Sequence, residues 1–253
     1  MTAGRIQAGG DASDRAALIA CALQMNELGI NQGKSGNVSL RCARGGREGF
    51  LITPSGLPYA QTTLSDVAWM PLDARDERDA DGPRAPSSEW RFHRDIYAQR
   101  TDARAVVHTH AAHATALACM PRVQREGIPA FHYMVAVAGG ADLRCAPYRT
   151  FGTQPLSDAA LAALQGRRAC LLANHGMIAL GASLEAALAL AVEVESLARM
   201  YALALTLGEP VVLPADEMAR VIDRFRTYGQ PQPAARPDRA GGDAPASPDR
   251  PAG

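Results

Sequence analysis

Residues 103–119 read ARAVVHTHAAHATALAC, an apolar and β-branched run that passes directly into an alanine-rich one. The first run predicts a strand over Ala103 to Thr109, and the second predicts a helix over Ala111 to Cys119. His108 and His110 stand where this strand ends. The junction indicates a fold in which strands and helices are mixed.

An earlier part of the sequence predicts antiparallel pairing of strands. Two short strands, Asn37 to Arg41 and Gly49 to Thr53, flank a turn rich in glycine and arginine and read as a hairpin. Hairpins mixed with helices predict a single-domain α/β fold, an α/β/α sandwich with a mainly antiparallel central sheet. Further strands are predicted at Val67–Leu72, Leu143–Pro147 and Arg168–Ala173, and helices at Ser13–Leu28, from Ser87 onward, and at Ser157–Gln165, Ser183–Leu207 and Ala215–Tyr228.

The last residues differ in composition from the rest of the chain. Residues 231–253 contain six proline, six alanine and three glycine residues. Such a segment cannot bury enough apolar surface to offset the loss of chain entropy. We therefore expect one domain over residues 1–230 and a disordered Pro/Ala-rich tail over residues 231–253.

Charge and cysteine content exclude several classes of protein. The 253 residues include 26 basic and 26 acidic side chains, a balance that argues against a nucleic-acid or anionic-membrane binder. The N-terminus carries no apolar leader, and the apolar runs are too short to span a membrane. The five cysteines form no CxxC pair, which indicates reduced thiols. We expect a cytoplasmic protein.

The strongest local signal for chemistry is His108-Thr109-His110. Alternate residues of a strand face the same side, so both imidazoles are expected on one face of the sheet. Two convergent neutral nitrogens suit Zn²⁺ or a similar divalent ion, and His175, at another strand end, offers a third. Three protein ligands leave an open position, the pattern of a catalytic site. Three unrelated histidines remain the alternative at this point.

Two other stretches have both a plain and a functional interpretation. Ser87-Ser88-Glu89 opens a helix and is either a simple N-cap or an anion site with an adjacent carboxylate. Residues 33–39 and 53–56 are glycine-containing loops beside strands, either ordinary turns or nests of backbone N–H groups for a phosphate. The first of them is not a Walker loop, because Leu28 stands where that motif needs glycine.

The remaining candidates are weaker. Tyr133 and Tyr228 carry hydroxyl groups, although most tyrosines are structural. His93 follows Glu89 by four residues on one helical face and is expected to be a packing partner. His113 and His132 are expected to be structural histidines.

Eight motifs occur together in one order: GNVSLR, LITPSGLPY, SSEWRFHRDIY, AVVHTHAAHATA, IPAFHYMVAVAGG, CAPYRTFGT, NHGMIAL and FRTYG. In this set the chain resembles the class II aldolase/adducin family over nearly all of the sequence before the tail. The fold implied by the resemblance, a mainly antiparallel sheet between helical layers, agrees with the fold predicted from the pattern of strands and helices.

The resemblance also implies roles for individual residues. Glu89 would be the catalytic acid/base, and Tyr133 and Tyr228 would reach a neighbouring subunit's site in a cyclic homotetramer. Ser55 stands where the family often has threonine, which keeps the hydroxyl. The implied metal ligands are His108, His110 and His175, for Zn²⁺ or another divalent ion such as Mn²⁺ or Co²⁺, and the implied phosphate-binding residues are Gly36, Asn37, Ser55, Gly56, Ser87 and Ser88.

The activity implied by the resemblance is reversible aldol cleavage of a ketose 1-phosphate into dihydroxyacetone phosphate and an aldehyde. Cleavage leaves a carbanion beside a carbonyl, which proteins stabilise with an iminium lysine or a metal. Lys34 is the only lysine and lies in a glycine-containing loop, so the metal route is expected. The default substrate is L-fuculose 1-phosphate, which gives L-lactaldehyde.

Three alternatives stay open. A 5-deoxy- or 5-methylthio-pentulose 1-phosphate is the rival substrate. A sugar-phosphate epimerase is the next alternative, although the related epimerases typically place aspartate where Glu89 stands. A noncatalytic adducin-like scaffold is the last, and the presence of all three histidines together with Glu89 speaks against it.

Overall fold

The structure is a computed structural model that describes residues 11–227. The predicted tail over residues 231–253 and Tyr228 lie outside the described residues. The described residues form seven α-helices: α1 Asp11–Glu27, α2 Trp90–Gln99, α3 Ala112–Ala118, α4 Pro121–Glu126, α5 Gln154–Ala163, α6 Leu184–Leu207 and α7 Ala215–Thr227. Seven strands accompany them: β1 Asn37–Arg44, β2 Arg47–Ile52, β3 Ala68–Pro71, β4 Ala105–Thr109, β5 Cys145–Ala146, β6 Ala169–Leu172 and β7 Gly176–Gly181.

The strands form one mixed sheet in the order β3-β2-β1-β4-β7-β6-β5. Every neighbouring pair is antiparallel except β5 and β6. Strand β4 lies at the centre, between β1 and β7. The mainly antiparallel sheet that the sequence predicted is confirmed.

Alternation of side chains along the sheet gives it two apolar faces. In β4, Ala105 and Val107 belong to the cluster that packs against α1, α3 and α6. Val106 points the other way, into the cluster with Phe92 and Ile96 of α2. Helices therefore cover both faces, and the predicted α/β/α sandwich is confirmed. His108 has the same parity as Val106 and so lies on the α2 side of the sheet.

Several predicted boundaries differ from the structure by a few residues, and the starts of α2 and α5 have a clear physical reason. Helix α2 begins at Trp90 instead of Ser87, because Ser87 still pairs with the end of β2: its backbone N–H donates to the Thr53 carbonyl at 3.0 Å. A residue held in an extended pairing cannot also start a helix. Helix α5 begins at Gln154, three residues earlier than Ser157, because Pro155 fits the first turn of a helix.

Besides three 3₁₀ turns of three residues each, strand β7, helix α4 and a 3₁₀ helix over Tyr133–Ala138 were not predicted from the sequence. The last two are six residues each, too short to give a clear period. Strand β7 carries a glycine at each end, which obscures its apolar run.

Two other expectations bear on the class of protein. All five cysteines, which lie within the described residues, are free. Within residues 11–227, none of the helices is both long enough and apolar enough to cross a bilayer.

Candidate active site

The end of strand β4 fixes the first two histidines. His108 is fully buried beside the ring of Phe92, with ring centroids 5.5 Å apart. Its Nδ1 lies 2.9 Å from the Met177 carbonyl oxygen on β7. Since a carbonyl only accepts, Nδ1 carries a proton and Nε2 is the ring nitrogen that faces Glu89. His110 follows one residue after the strand, and its Nε2 lies 3.2 Å from that of His108.

His175 arrives from the turn between β6 and β7. Asn174 adopts a left-handed backbone conformation, with φ of 54°, which asparagine tolerates better than most residues. Its backbone N–H donates to the Ala118 carbonyl, and its side-chain oxygen accepts from Gln124 at 2.8 Å. These contacts hold the turn that presents His175. Asn174, and not the neighbouring Gly176, has the left-handed conformation in this turn.

Gly176 has a different role. A Cβ atom at this position would lie 2.4 Å from the Thr109 carbonyl oxygen and 3.0 Å from Cδ2 of His110. The first distance is too short for any side chain. Glycine is required here because the backbone at the start of β7 lies directly against the end of its neighbour β4, where His108 and His110 stand.

The three imidazoles meet at the carboxylate of Glu89. The ligand atoms of His108, His110 and His175 all lie within 4.8 Å of one another. Glu89 Oε2 is 3.1 Å from His108 Nε2, and Oε1 is 3.3 Å from His175 Nε2. Glu89 is 5% exposed and stands at the N-terminal boundary of α2. The structure thus brings four of the predicted residues together from β4, the β6–β7 turn and α2.

Electrostatics at this cluster suit a cation. Burial alone would raise the pKa of Glu89, but His108, His175 and the Asn37 amide lower it to about 2. Burial and the neighbouring His108 lower the pKa of His110 and of His175 to about 4. At neutral pH these two imidazoles are uncharged and their lone pairs are free, while the carboxylate keeps its negative charge.

The residues present fit a divalent metal. Glu89 Oε1 is buried and has no hydrogen-bond donor, which is costly unless a cation or a proton approaches it. Two nitrogens bound at about 2.0 to 2.1 Å in a tetrahedron are about 3.4 Å apart, close to the spacing of the His108 and His110 nitrogens. Three imidazole nitrogens with one open side match a catalytic metal centre better than a structural one.

The candidate phosphate-binding residues lie on three adjoining loops. Ser55 and Ser87 belong to segments that pair around Pro54 and Pro86, with Ser55 donating its backbone N–H to the Ala85 carbonyl at 3.0 Å. Lys34 Nζ donates to the Gly56 carbonyl at 2.8 Å and joins the loop before β1 to the loop after β2. The three loops therefore form one rim beside Glu89.

The six rim residues differ in exposure. Ser55, Gly56 and Ser88 are exposed, whereas Ser87 is buried and its Oγ accepts from the Glu89 backbone N–H at 3.3 Å. Gly36 is buried, and a Cβ there would lie 2.5 Å from the His108 carbonyl oxygen. This close approach brings the start of β1 against the end of β4, where His108 and His110 stand.

Asn37 differs from the other rim residues. Its side chain is buried, and its amide nitrogen donates to Glu89 Oε2 at 2.9 Å while its oxygen faces His93. His93, which was expected to be a packing partner, is fully buried with its ring stacked on Phe92, and it also belongs to a hydrogen-bonded network. Sequence reasoning missed this contact, because the packing of α2 against β1 decides it and the sequence does not show which helix faces which strand.

The predicted tyrosine lies elsewhere. Tyr133 opens the 3₁₀ helix and is half exposed, and its ring stacks on Phe225 of α7 with centroids 6.5 Å apart. Its ring contacts His132 and Phe225, and the three histidines of the cluster contact one another. Within the described part of one chain, Tyr133 therefore stands apart from the cluster around Glu89.

The other two histidines have structural contacts. His132 accepts from the Met134 backbone N–H and so caps the 3₁₀ helix. His113 Nδ1 lies 2.7 Å from Glu195, whose carboxylate also accepts from the first N–H groups of α3. The expectation that both are structural agrees with these contacts.

Comparison with known proteins agrees with the fold and the site. The sequence profile described as Class II Aldolase and Adducin N-terminal domain matches residues 16–202. A 5-methylthioribulose-1-phosphate/5-deoxyribulose-1-phosphate aldolase from Rhodospirillum rubrum is 55% identical over 215 residues, 85% of this chain and 92% of that protein. An L-fuculose phosphate aldolase from Escherichia coli K12 is 47% identical over 213 residues, 84% of this chain and 94% of that protein.

A solved structure of an L-fuculose 1-phosphate aldolase superposes with a TM-score of 0.78 at 39% identity, and covers 86% of this chain and 100% of its own. The chain belongs to the class II aldolase and adducin family. Within that family it is a class II aldolase, a carbon–carbon lyase. Class II aldolases are metal dependent, and the histidine cluster gives this chain a site for the metal.

Removal of one imidazole should release the metal. We expect the purified protein to hold about one divalent ion per chain, and His175→Ala to lose most of it, because two nitrogens bind far more weakly than three. The matched control is His113→Ala, which removes a histidine whose partner is Glu195. Elemental analysis after dialysis measures the metal content. A full equivalent of metal in His175→Ala would contradict the assignment.

Proposed function

We propose that this chain cleaves a ketose 1-phosphate reversibly into dihydroxyacetone phosphate and a short aldehyde, with Zn²⁺ held by His108, His110 and His175. The observation that carries the proposal is the buried Glu89 carboxylate facing three imidazole nitrogens, with Oε1 lacking any donor. A carboxylate in this position is close enough to an open metal position to act on the same substrate atom.

The choice between lysine and metal follows from the position of Lys34. Its Nζ donates to the Gly56 carbonyl on the rim, where it can attract a phosphate. An iminium mechanism needs a lysine at the reacting carbonyl. When bound, the metal supplies Lewis-acid stabilisation of negative charge on the substrate oxygens next to the breaking bond.

Glu89 is the proposed acid/base. Breaking the bond between C3 and C4 of the ketose leaves an electron pair on C3, and that carbon must gain a proton to become the hydroxymethyl carbon of dihydroxyacetone phosphate. In cleavage the C4 hydroxyl gives up a proton as C3 gains one, so the ionised Glu89 would take up a proton before delivering it to C3, and in the reverse direction it would remove that proton. Asn37 fixes one carboxylate oxygen, so the other is free to face the substrate.

The rim around Ser55, Gly56 and Ser88 is the proposed phosphate site. These residues are exposed, carry hydroxyl or backbone N–H donors, and lie beside the positive charge of Lys34. Gly36 would contribute its backbone N–H and Ser87 its hydroxyl, with Asn37 at the inner end. Binding of the phosphate here would set the distance between the reacting carbon and Glu89.

Two substrates are candidates for the sugar. L-Fuculose 1-phosphate is supported by the relative from Escherichia coli at 47% identity, and 5-methylthioribulose or 5-deoxyribulose 1-phosphate by the relative from Rhodospirillum rubrum at 55%. The higher identity over the same span favours the pentulose phosphates. Both would share the phosphate rim and the metal, and differ only in the aldehyde released.

A panel of ketose 1-phosphates tests the proposed reaction. We expect release of dihydroxyacetone phosphate from L-fuculose 1-phosphate and from the two pentulose phosphates, with the highest kcat/KM for a pentulose. A coupled assay for dihydroxyacetone phosphate measures each rate. Failure of the metal-loaded enzyme to cleave any member of the panel would refute the proposed function, and an epimerised product would favour the epimerase alternative.

Glu89→Gln tests the role of the carboxylate. The amide keeps the size of the side chain but cannot move a proton, so kcat should fall by about 10²- to 10⁴-fold. Metal content should stay near the wild-type value. Exchange of the dihydroxyacetone phosphate proton with solvent, measured by NMR, should fall in parallel. The control is Glu185→Gln, an exposed carboxylate on α6, and wild-type exchange in Glu89→Gln would remove Glu89 from proton transfer.

Tyr133 and Tyr228 are proposed to complete a neighbouring subunit's site in a cyclic homotetramer. The half-exposed position of Tyr133, apart from the histidines of its own chain, supports this proposal. Either tyrosine would steady the oxygen that becomes the aldehyde.

Mixed oligomers test the shared site. Glu89→Gln and Tyr133→Phe chains, each largely inactive alone, should regain activity when they assemble together, because one chain supplies Glu89 and its neighbour supplies Tyr133. Random assembly predicts that about a quarter of the sites are intact. Hybrids verified by mass that stay inactive would place both residues in one chain's site.

A further inference from the structure

A hydrogen-bonded network of buried polar side chains extends from Glu89 into the protein interior. Asn37 Nδ2 donates to Glu89 Oε2 at 2.9 Å, and Asn37 Oδ1 lies 2.5 Å from His93 Nε2. His93 Nδ1 is 2.6 Å from Ser39 Oγ, which is 2.8 Å from the Tyr97 hydroxyl. None of the five side chains is more than 5% exposed. Burying such a network costs free energy unless each of its polar atoms has a hydrogen-bond partner.

Two local periods bring these residues face to face. Asn37 and Ser39 are alternate residues of β1 and point to the same side of the sheet. Glu89, His93 and Tyr97 are spaced by four residues and share one face of α2. The network therefore fills the contact between β1 and α2, immediately beside the histidine cluster.

The carboxylate determines the direction of the nearest hydrogen bonds. An ionised Glu89 can only accept, so Asn37 must turn its NH₂ group toward it. That orientation turns the Asn37 oxygen toward His93, and an amide oxygen also only accepts. His93 must then donate from Nε2.

The same logic continues on the far side of His93. Burial lowers the pKa of His93 to about 3, so its imidazole is neutral and carries one proton. With that proton on Nε2, the Nδ1 atom is an acceptor. Ser39 must donate to it, and Tyr97 can donate to Ser39. The three hydrogen bonds from Ser39 through His93 and Asn37 to Glu89 therefore all point toward the carboxylate.

We propose that His93 is a positioning residue for the acid/base: by donating from Nε2, it locks the amide of Asn37 in the orientation that holds Glu89 Oε2. Oε1 then stays free to face the substrate. The inference rests on the proposed function for its catalytic consequence, but the donor pattern itself is a property of the resting enzyme. Asn37 thereby acts on the carboxylate as well as standing at the phosphate rim.

A purely structural role for His93 makes different predictions. A residue that only fills space would tolerate an apolar side chain of similar size, and its ring could carry the proton on either nitrogen. A positioning residue requires a donor at Nε2. Its loss should change kcat and leave substrate affinity and metal content nearly unaltered.

The first experiment reads the tautomer directly. Two-dimensional ¹⁵N NMR of the metal-loaded, histidine-labelled enzyme at pH 7.5 distinguishes a protonated ring nitrogen from one that accepts, and the spectrum of His93→Gln assigns the His93 signals. We expect a neutral ring with the proton on Nε2. A proton on Nδ1 would overturn the proposal, whatever substrate the enzyme takes.

The second experiment compares two variants. His93→Leu removes the donor and should lower kcat, and solvent exchange of the dihydroxyacetone phosphate proton, by about 10- to 100-fold, the usual effect of losing a residue that orients a catalytic group. His93→Gln carries an amide N–H at about the distance of Nε2 from the backbone and should restore most of the rate. KM and metal content should stay near wild type in both.

The outcomes separate the proposal from the proposed function. If the wild-type enzyme neither cleaves nor exchanges any substrate of the panel, the proposed function fails and the tautomer still decides whether His93 donates. If His93→Leu folds, binds metal and retains the full rate, the positioning role is refuted. If His93→Leu does not fold, Ser39→Ala replaces it: loss of the donor to Nδ1 frees the ring to turn, and a full rate there contradicts the proposal.

Discussion

The convergence of three imidazole nitrogens on one buried carboxylate is the constraint on which the rest of the structure depends. His108, His110, His175 and Glu89 come from three separate elements, and the Glu89 oxygens lie 3.1 and 3.3 Å from two of the rings. Lone pairs and negative charge held this close are unfavourable without a cation. The site therefore has to be imposed by the fold around it.

Several neighbouring features follow from that requirement. Gly176 lets the backbone of β7 lie close to the end of β4, and Gly36 does the same for β1 on the other side of β4. Asn174 accepts an uncommon backbone conformation so that His175 can face inward. These residues have no side-chain chemistry at the centre, yet each one determines whether the ligands can meet.

The sequence predicted the parts of this arrangement that depend on local period. The two-residue spacing of His108 and His110 placed both rings on one face, and the hairpin and alternating layers predicted the sandwich. It did not predict β7, or the start of α2 at Trp90, because pairing between distant segments decides both. The contact from Asn37 to Glu89 and His93 was missed for the same reason: it depends on how α2 packs against β1.

The central claim is that the four residues enclose one catalytic metal. Crystals of the active enzyme, measured with X-rays on both sides of the zinc absorption edge, test it most directly. The account predicts one anomalous peak per chain, bonded to Nε2 of His108, His110 and His175, with Glu89 beside the open position. An active enzyme whose anomalous peak lies elsewhere, or which shows none at this cluster for zinc or for any other divalent metal, would contradict it.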